Sequence, residues 1–302
     1  MLPVLDPYIM KTHVTPFFIF FLVSFQIGTT QLPDNSDFVF QHELSRPLRE
    51  ISGVFREGRN LWAIVDGPGS KLYKIDTSGN IVQEISLSNA RTTDVESVTA
   101  DEDYVYMGDT GNNHGNRKTL SIYKIKKALI SNDPKTAVNV EVISFQYPEA
   151  DAGKRKRSNN YDAESLISVK DSLFIFTKRR GDHQTELISI PKIPGSYVAR
   201  SVDIFNCDGL ITDAAINKEG NEVVLLGYLN GHFYPFVWLF NNFHGTNFFS
   251  GSHRQYQLTT KEMDWQTEGI CYLTDHLWAL SCEQTSDQRA SLYGLKRDFV
   301  VN

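Results

Sequence analysis

An all-β ring of five blades, a β-propeller, is the fold this sequence predicts, and three observations predict it. One pattern occurs five times: a short polar or acidic pair, an apolar run, a tight turn, a second apolar run, a loop and a third run. The pairs are Glu50-Ile-Ser52, Asp94-Val-Glu96, Asp162-Ala-Glu164, Ile211-Thr-Asp213 and Gln266-Thr-Glu268. Repetition at tens of residues marks propellers and solenoids. The spacing is also nearly constant: the second run starts at Leu61, Tyr104, Leu173, Val223 and Leu277, which is 9, 8, 9, 10 and 9 residues past Ser52, Glu96, Glu164, Asp213 and Glu268. Finally, no stretch past residue 31 holds a helical period. The runs are instead short, rich in β-branched and aromatic residues, and bounded by Gly, Asn and Asp, which is how strands read.

Each unit supplies the strands of one blade. The third runs are Leu72-Tyr-Lys-Ile75, Ile122-Tyr-Lys-Ile125, Leu187-Ile-Ser-Ile190, Val237-Trp-Leu-Phe240 and Leu292-Tyr-Gly-Leu295. Turn signals such as Thr77-Ser-Gly-Asn80 and Lys218-Glu-Gly-Asn221 separate the runs. Fourth strands follow in the first four units, over 81–87, 139–147, 197–205 and 254–258. The fifth unit stops near Lys296 with three strands, and residues 38–44, ahead of the first unit, supply the missing outer strand and close the ring. Such closure removes an exposed sheet edge. The long connection between the second and third units leaves room for a sixth blade.

Residues 31–302 form a single domain on this reading. At 302 residues, 41% hydrophobic and 12% aromatic, the chain has material for one large core. A formal charge of −6 argues against general nucleic-acid binding, which wants a basic face. Ahead of the domain, Lys11 precedes an apolar stretch over 16–27 followed by Gly28-Thr-Thr30. Residues 1–30 therefore read as a signal peptide, with Met10 as an alternative start, and predict an exported, periplasmic or secreted, monomeric protein. The apolar stretch is shorter than the roughly 20 residues a spanning helix needs, so no stable membrane span is expected after cleavage. Of three cysteines, Cys271 and Cys282 fall on adjacent strands but face opposite sides, so no disulfide is expected between them; all three read as packing residues.

Chemistry is expected at one mouth of the ring. First strands start where second strands end, so the acidic pairs should meet the ends of the second strands at Asp66, Asp109, Lys178, Tyr228 and Glu283. Members of a pair stand two residues apart and point the same way in an extended strand. This gathers Glu50, Asp94, Glu96, Asp162, Glu164, Asp213 and Glu268, with Asp109, Asn112 and Asn113 adding oxygens from a loop. Carboxylates about 6 Å apart repel by roughly 3 kcal/mol at an effective dielectric near 20, so such a set needs a cation or raised pKa values. Oxygen-only ligands favour a hard cation, Ca2+ in an extracellular setting; no His/Cys spacing suits zinc. The other reading of these acids is that they bond backbone amides of neighbouring blades and brace the ring.

His114, His183 and His232 fall in loops after second strands, where His114 or His183 could serve as a general base. Lys178-Arg-Arg180, Lys154-Arg-Lys-Arg157 and Arg117 put positive charge on the same mouth. Lys178, Arg179 and Arg117 are the candidates for holding an anionic ligand. Trp265 stands just before a first strand, as packing or as a ligand platform. No nucleophile elbow, Walker loop or zinc-protease helix competes.

The segments Glu50-Ile-Ser-Gly53, Asp94-Val-Glu96, Gly108-Asp-Thr-Gly-Asn-Asn113, Asp162-Ala-Glu164 and Gln266-Thr-Glu-Gly-Ile270 resemble exported bacterial propellers of the phytase-like and SdiA-regulated groups. More distantly the chain is similar to gluconolactonase/paraoxonase propellers and five-bladed calcium-activated nucleotidases. That resemblance implies a channel-mouth Ca2+ binding the substrate's oxygen, with Glu50 as counterpart of the first-blade ligand. Asp and Glu stand where the lactonases' Asn ligands are expected, which weakens the lactonase reading more than the metal. Two functions follow: a Ca2+-dependent hydrolase of a small anionic ester, a phosphoester or lactone, or a non-catalytic propeller binding a glycan, peptide or protein.

Overall fold

The computed structural model describes residues 32–149, 156–229, 234–259 and 265–301. The expected signal peptide, Met10, Lys154, Arg155 and His232 lie outside them. Strand β1 (Phe38–Glu43) precedes five sheets that follow one another along the chain. Blade 1 consists of β2 (Ile51–Glu57), β3 (Asn60–Val65), β4 (Lys71–Ile75) and β5 (Ile81–Leu87). Blade 2 has β6 (Ser97–Ala100), β7 (Tyr104–Asp109) and β8 (Leu120–Lys126), then β9 (Lys135–Val138), which leaves for blade 1, and β10 (Glu141–Gln146). In blade 3, β11 (Ala163–Val169), β12 (Ser172–Thr177) and β13 (Thr185–Pro191) precede β14 (Gly195–Val198), which leaves for blade 2, and β15 (Arg200–Phe205). Blade 4 is β16 (Leu210–Ile216), β17 (Glu222–Tyr228), β18 (Pro235–Asn241) and β19 (Ser252–Gln257). Blade 5 is β20 (Thr267–Thr274), β21 (Leu277–Cys282) and β22 (Ser291–Lys296), with β1 as its outer strand.

The five innermost strands touch in a closed circuit, β2 to β6, β11, β16, β20 and back to β2. Between each pair of neighbouring blades lies one apolar cluster, five in all among the described residues. This explains why the strands read as unbroken apolar runs. In β3, Trp62 and Ile64 face blade 2 while Leu61 and Ala63 face blade 5, because successive side chains point to opposite sheet faces. Both faces are covered, so neither half of the alternation is polar. At roughly 1.5–3 kcal/mol per buried large apolar side chain, these interfaces hold the ring.

Ring closure follows the expected route. β1 pairs antiparallel with β22, Gln41 opposite Tyr293, and the Leu44 amide donates to the Ala290 carbonyl at 2.8 Å. Phe40 lies against the face of Gly294, where any Cβ would stand 2.3 Å from its ring. No sixth sheet occurs among the described residues.

Two outer strands differ from expectation. β9 and β14 each extend the preceding blade, pairing in parallel with β5 and β10. The stretch 197–205, expected as one strand, is therefore split. Its first part belongs to blade 2, the Ala199 amide bonds to the Gln146 carbonyl, and the chain then turns into β15 of blade 3. These strands cover sheet edges that would otherwise be open and tie blades 1, 2 and 3 together.

Cys207, Cys271 and Cys282 are buried free thiols. Cys271 pairs with Ala279 and faces blade 1, whereas Cys282 faces blade 4. Burial pushes the Cys207 and Cys271 thiols up to about 12, which leaves them inert. Among the described residues no helix is long and apolar enough to cross a membrane.

Candidate functional site

The acidic pairs and the ends of the second strands do share one mouth, because four blades repeat the same backbone contact. The Asp66 amide donates to the Glu50 carbonyl (2.8 Å), Gly111 to Asp94 (3.1 Å), Lys178 to Asp162 (2.9 Å) and Glu283 to Gln266 (3.0 Å). The strand register slips at Ser52, Glu164, Thr212 and Glu268, one in each of blades 1, 3, 4 and 5. A bulge re-aims the side chain it carries. At Ser52 and Thr212 the hydroxyl donates to the next blade's backbone, to the Val95 and Thr267 carbonyls; at Glu164 and Glu268 a buried carboxyl takes its place.

This register separates Asp213 from the rest. The blade 4 counterpart of Glu164 is Thr212, and a one-residue step turns a side chain to the other face. Asp213 accepts from the Ile270 amide at 2.7 Å and from the Ala214 amide at 2.8 Å, fastening blade 4 to blade 5. Asp109 is also engaged: one oxygen accepts from the Thr93 and Asp94 amides (3.1 and 2.8 Å), the other pairs with Arg117 at 3.0 Å. Arg117 in turn donates to the Gly111 and Asp109 carbonyls, and Asn112 locks onto the Arg117 backbone. Asp109 and Arg117 thus hold the loop that presents Asp94 and Gly111. Asn113 receives a hydrogen bond from Arg180.

At the centre, Asp66, Asp94 and Glu96 each turn one carboxylate oxygen to a common point, all within 4.8 Å of one another. Gly111 packs so closely that a Cβ there would stand 2.4 Å from the Asp94 carboxyl and 2.8 Å from Glu96. No ion pair reaches these three among the described residues. Burial, then the neighbouring Asp66, pushes Asp94 up to about 7. Burial, then Glu164, raises Glu96 well above the usual carboxylate range.

The mouth continues into a mixed cluster. Lys178, 3% exposed, bonds Glu164 and lies over the Tyr228 ring at 5.0 Å. Burial, the largest influence, would lower this ammonium, but Glu164, Tyr228 and Glu268 together outweigh it and keep it charged. Arg180 reaches Asp162 at 3.1 Å and Glu164 at 3.4 Å. Asp162 also accepts from the Asn112 amide. Glu283, bonded by Gln266, is pushed up to about 9 by burial and by Glu268; Glu268 is raised by burial as well. Seven carboxyls (Asp66, Asp94, Glu96, Asp162, Glu164, Glu268, Glu283) thus face two basic side chains, Lys178 and Arg180.

Several candidates stand outside this centre. Glu50 is half-exposed on the rim, paired with Arg49 at 3.2 Å. Arg179 turns outward to Asp182 and Glu186. His114 and His183 are exposed on loops, His183 with φ +58° and its amide bonded to the Arg179 carbonyl. Trp265 is buried, stacked on Tyr293 at 4.9 Å. Asp66, Arg180 and Glu283, which sequence reasoning did not select, occupy the centre instead. Their signal was available in part: Asp66 and Glu283 end second strands, and Arg180 stands two residues past Lys178.

No protein-family profile matches this chain, and no curated protein matches it. In structure it is similar to the PQQ-bound aldose sugar dehydrogenase of Streptomyces coelicolor, at a TM-score of 0.50 and 11% identity, over 86% of this chain and 97% of that one. Weaker likenesses include Kuenenia stuttgartiensis hydrazine synthase (TM-score 0.41, 11% identity, 80% of this chain and 57% of that one). A mitotic checkpoint complex chain also matches (TM-score 0.39, 11% identity, 82% and 63%). The chain spans less than two thirds of the length of these last two. At such identity the likeness is one of fold, and it assigns no chemistry.

Proposed function

We propose that this protein holds a hard divalent cation, Ca2+ by first choice, in the mouth of the ring and uses it to bind a small anionic ester for hydrolysis. The observation that carries the reading is the convergence of Asp66, Asp94 and Glu96 within 4.8 Å, with no ion pair to any of them among the described residues. At that separation two carboxylates repel by about 3.5 kcal/mol at an effective dielectric near 20. A cation relieves all three pairs at once, and a set of carboxylate oxygens alone suits the hard Ca2+ ion. Gly111 supports the fit, since its missing side chain lets the backbone close over the cluster.

When bound, such a cation supplies Lewis acidity toward an ester oxygen. The chain's own residues supply the rest. Asp109 and Arg117 fix the loop under Asp94. Glu283, pushed up to about 9 by burial and by Glu268, is a carboxyl that can hand a proton to a leaving oxygen. Export through residues 1–30, into a compartment rich in Ca2+, belongs to the same proposal. The non-catalytic reading, a propeller that binds a glycan, peptide or protein, is favoured by one observation: His114 and His183 are exposed on loops rather than set in the mouth.

Metal analysis and melting of the purified protein test the cation, with EDTA and with Ca2+ titrated back. Ligand at about 100 times its Kd stabilises by roughly 2.7 kcal/mol. At roughly 2–4 °C per kcal/mol for a domain of this size, melting should rise by about 5–11 °C. Asp94→Asn with Glu96→Gln should abolish the rise. No metal and no shift would mean the acids serve the ring alone. A screen of phosphoesters and lactones against the Ca2+-loaded protein separates hydrolase from binder.

A further inference from the structure

The mouth carries an excess of negative charge, so an anionic ligand needs a basic group with donors to spare. Of the basic side chains near it, Lys178 is enclosed and bonded to Glu164, Arg179 is spent on Asp182 and Glu186, and Arg117 on its own loop. Arg180 differs. Residues 178 and 180 turn into the mouth while Arg179 turns out, the alternation of an extended segment. Its Nε donates to Asp162 at 3.1 Å, and its Nη2 donates to Asn113 and lies 3.4 Å from Glu164. Nη1 donates to nothing among the described residues, and the side chain keeps 25% of its surface exposed. The guanidinium is therefore held rigidly on one edge and open on the other.

We propose that Arg180 holds the anion of the ligand, donating from Nη1 to an oxygen of a phosphate or phosphomonoester whose other oxygen faces the cation. This rests on the cation reading above. A dianion with several oxygens is the class that fits: one oxygen can face the divalent cation while another accepts from the guanidinium, so a single group answers both positive charges. Arginine's planar fork suits a phosphate group better than an ammonium does.

Isothermal titration of the full chain with Ca2+, and then with inorganic phosphate in saturating Ca2+, tests this against Arg180→Gln. The two affinities should move in opposite senses. Loss of a hydrogen bond to a charged group should weaken phosphate roughly tenfold or more, whereas Ca2+ binding should hold or tighten because a positive charge has left the mouth. A merely unfolded variant would lose both. Equal phosphate affinity in variant and wild type, or no phosphate binding by either, overturns the assignment of Arg180 while leaving Ca2+ binding intact. If the wild type binds no Ca2+, the cation reading fails, and phosphate titrated into the metal-free proteins judges Arg180 by itself: weaker binding by the variant supports it, equal binding overturns it. Should Arg180→Gln fail to fold, Arg180→Lys keeps the charge against Asp162 and Glu164 but cannot also present an outward donor. It should retain Ca2+ and weaken phosphate; wild-type phosphate affinity in Arg180→Lys overturns the proposal.

Discussion

Replacing Lys178 by Met isolates a carboxylate that the fold has taken out of water. Glu164 is 2% exposed and Lys178 is 3% exposed, and the two are bonded. Removing one member of such a buried pair costs about 3–5 kcal/mol, because the other charge stays buried without its partner. Here the lower end applies, since Arg180 still stands 3.4 Å from the other Glu164 oxygen. A loss of about 3 kcal/mol should lower the melting temperature by roughly 6–12 °C for a domain of this size. Urea unfolding in EDTA at neutral pH reads it. Adding Glu164→Gln to Lys178→Met should recover most of the loss, giving a coupling of about 2 kcal/mol in the double-mutant cycle. Burial already raises the Glu164 carboxyl above its unfolded value in the wild type, and without the ammonium, which opposes that rise, it climbs further, so the native variant takes up the proton first. The deficit should therefore shrink as pH falls from 8 to 5. A Lys178→Met protein as stable as the wild type, or a double variant no better than the single one, would refute the idea that this pair is a buried ion pair.

Two further outcomes are expected. Folded-state pKa values raised to about 7 at Asp94 and about 9 at Glu283, against ordinary values of 3.8 and 4.5, mean that the native state binds more protons than the unfolded chain between those limits. Stability of the metal-free protein should then fall as pH rises from 5 to 9, by roughly 1.4 kcal/mol per pH unit for each such group while it titrates. Ca2+ should flatten the dependence, and a urea midpoint that climbs with pH would contradict the assignment. Gly111→Ala would set a methyl 2.4 Å from the Asp94 carboxyl. It should weaken Ca2+ binding by roughly tenfold, about 1.4 kcal/mol, while cooperative unfolding persists; calorimetric titration that finds unchanged affinity would show that the loop does not close on the cluster.

Much of the ring was legible because each blade is buried on both faces. Apolar side chains on both sides of a strand leave runs such as Leu61-Trp-Ala-Ile64 that need no alternation to be seen, and β5 occupies the same residues the pattern predicts. The closing strand was legible because the fifth unit lacks an outer strand and residues 38–44 offer one. β9 and β14 were not. They are four residues long, with mostly exposed or half-exposed side chains, and their partners belong to the preceding blade. Neither sequence period nor composition marks a strand whose place is set by a neighbour's open edge.

The site divides along the same line. Its mouth could be inferred from chain direction alone, since first strands begin where second strands end. Which acids meet there could not. Asp213 looks like Glu164 in spacing, yet the bulge at Thr212 turns it onto the Ile270 amide. Asp109 looks like a ligand, yet Arg117 and two backbone amides occupy it. By itself the sequence determined a closed five-bladed ring with an acidic mouth, because repeat spacing and two-sided burial are local properties. Only the tertiary structure decided that Asp66, Asp94 and Glu96 converge while Lys178 and Arg180 balance their neighbours. Convergence depends on one-residue register slips and on loops from different blades, and those are fixed only when the ring closes.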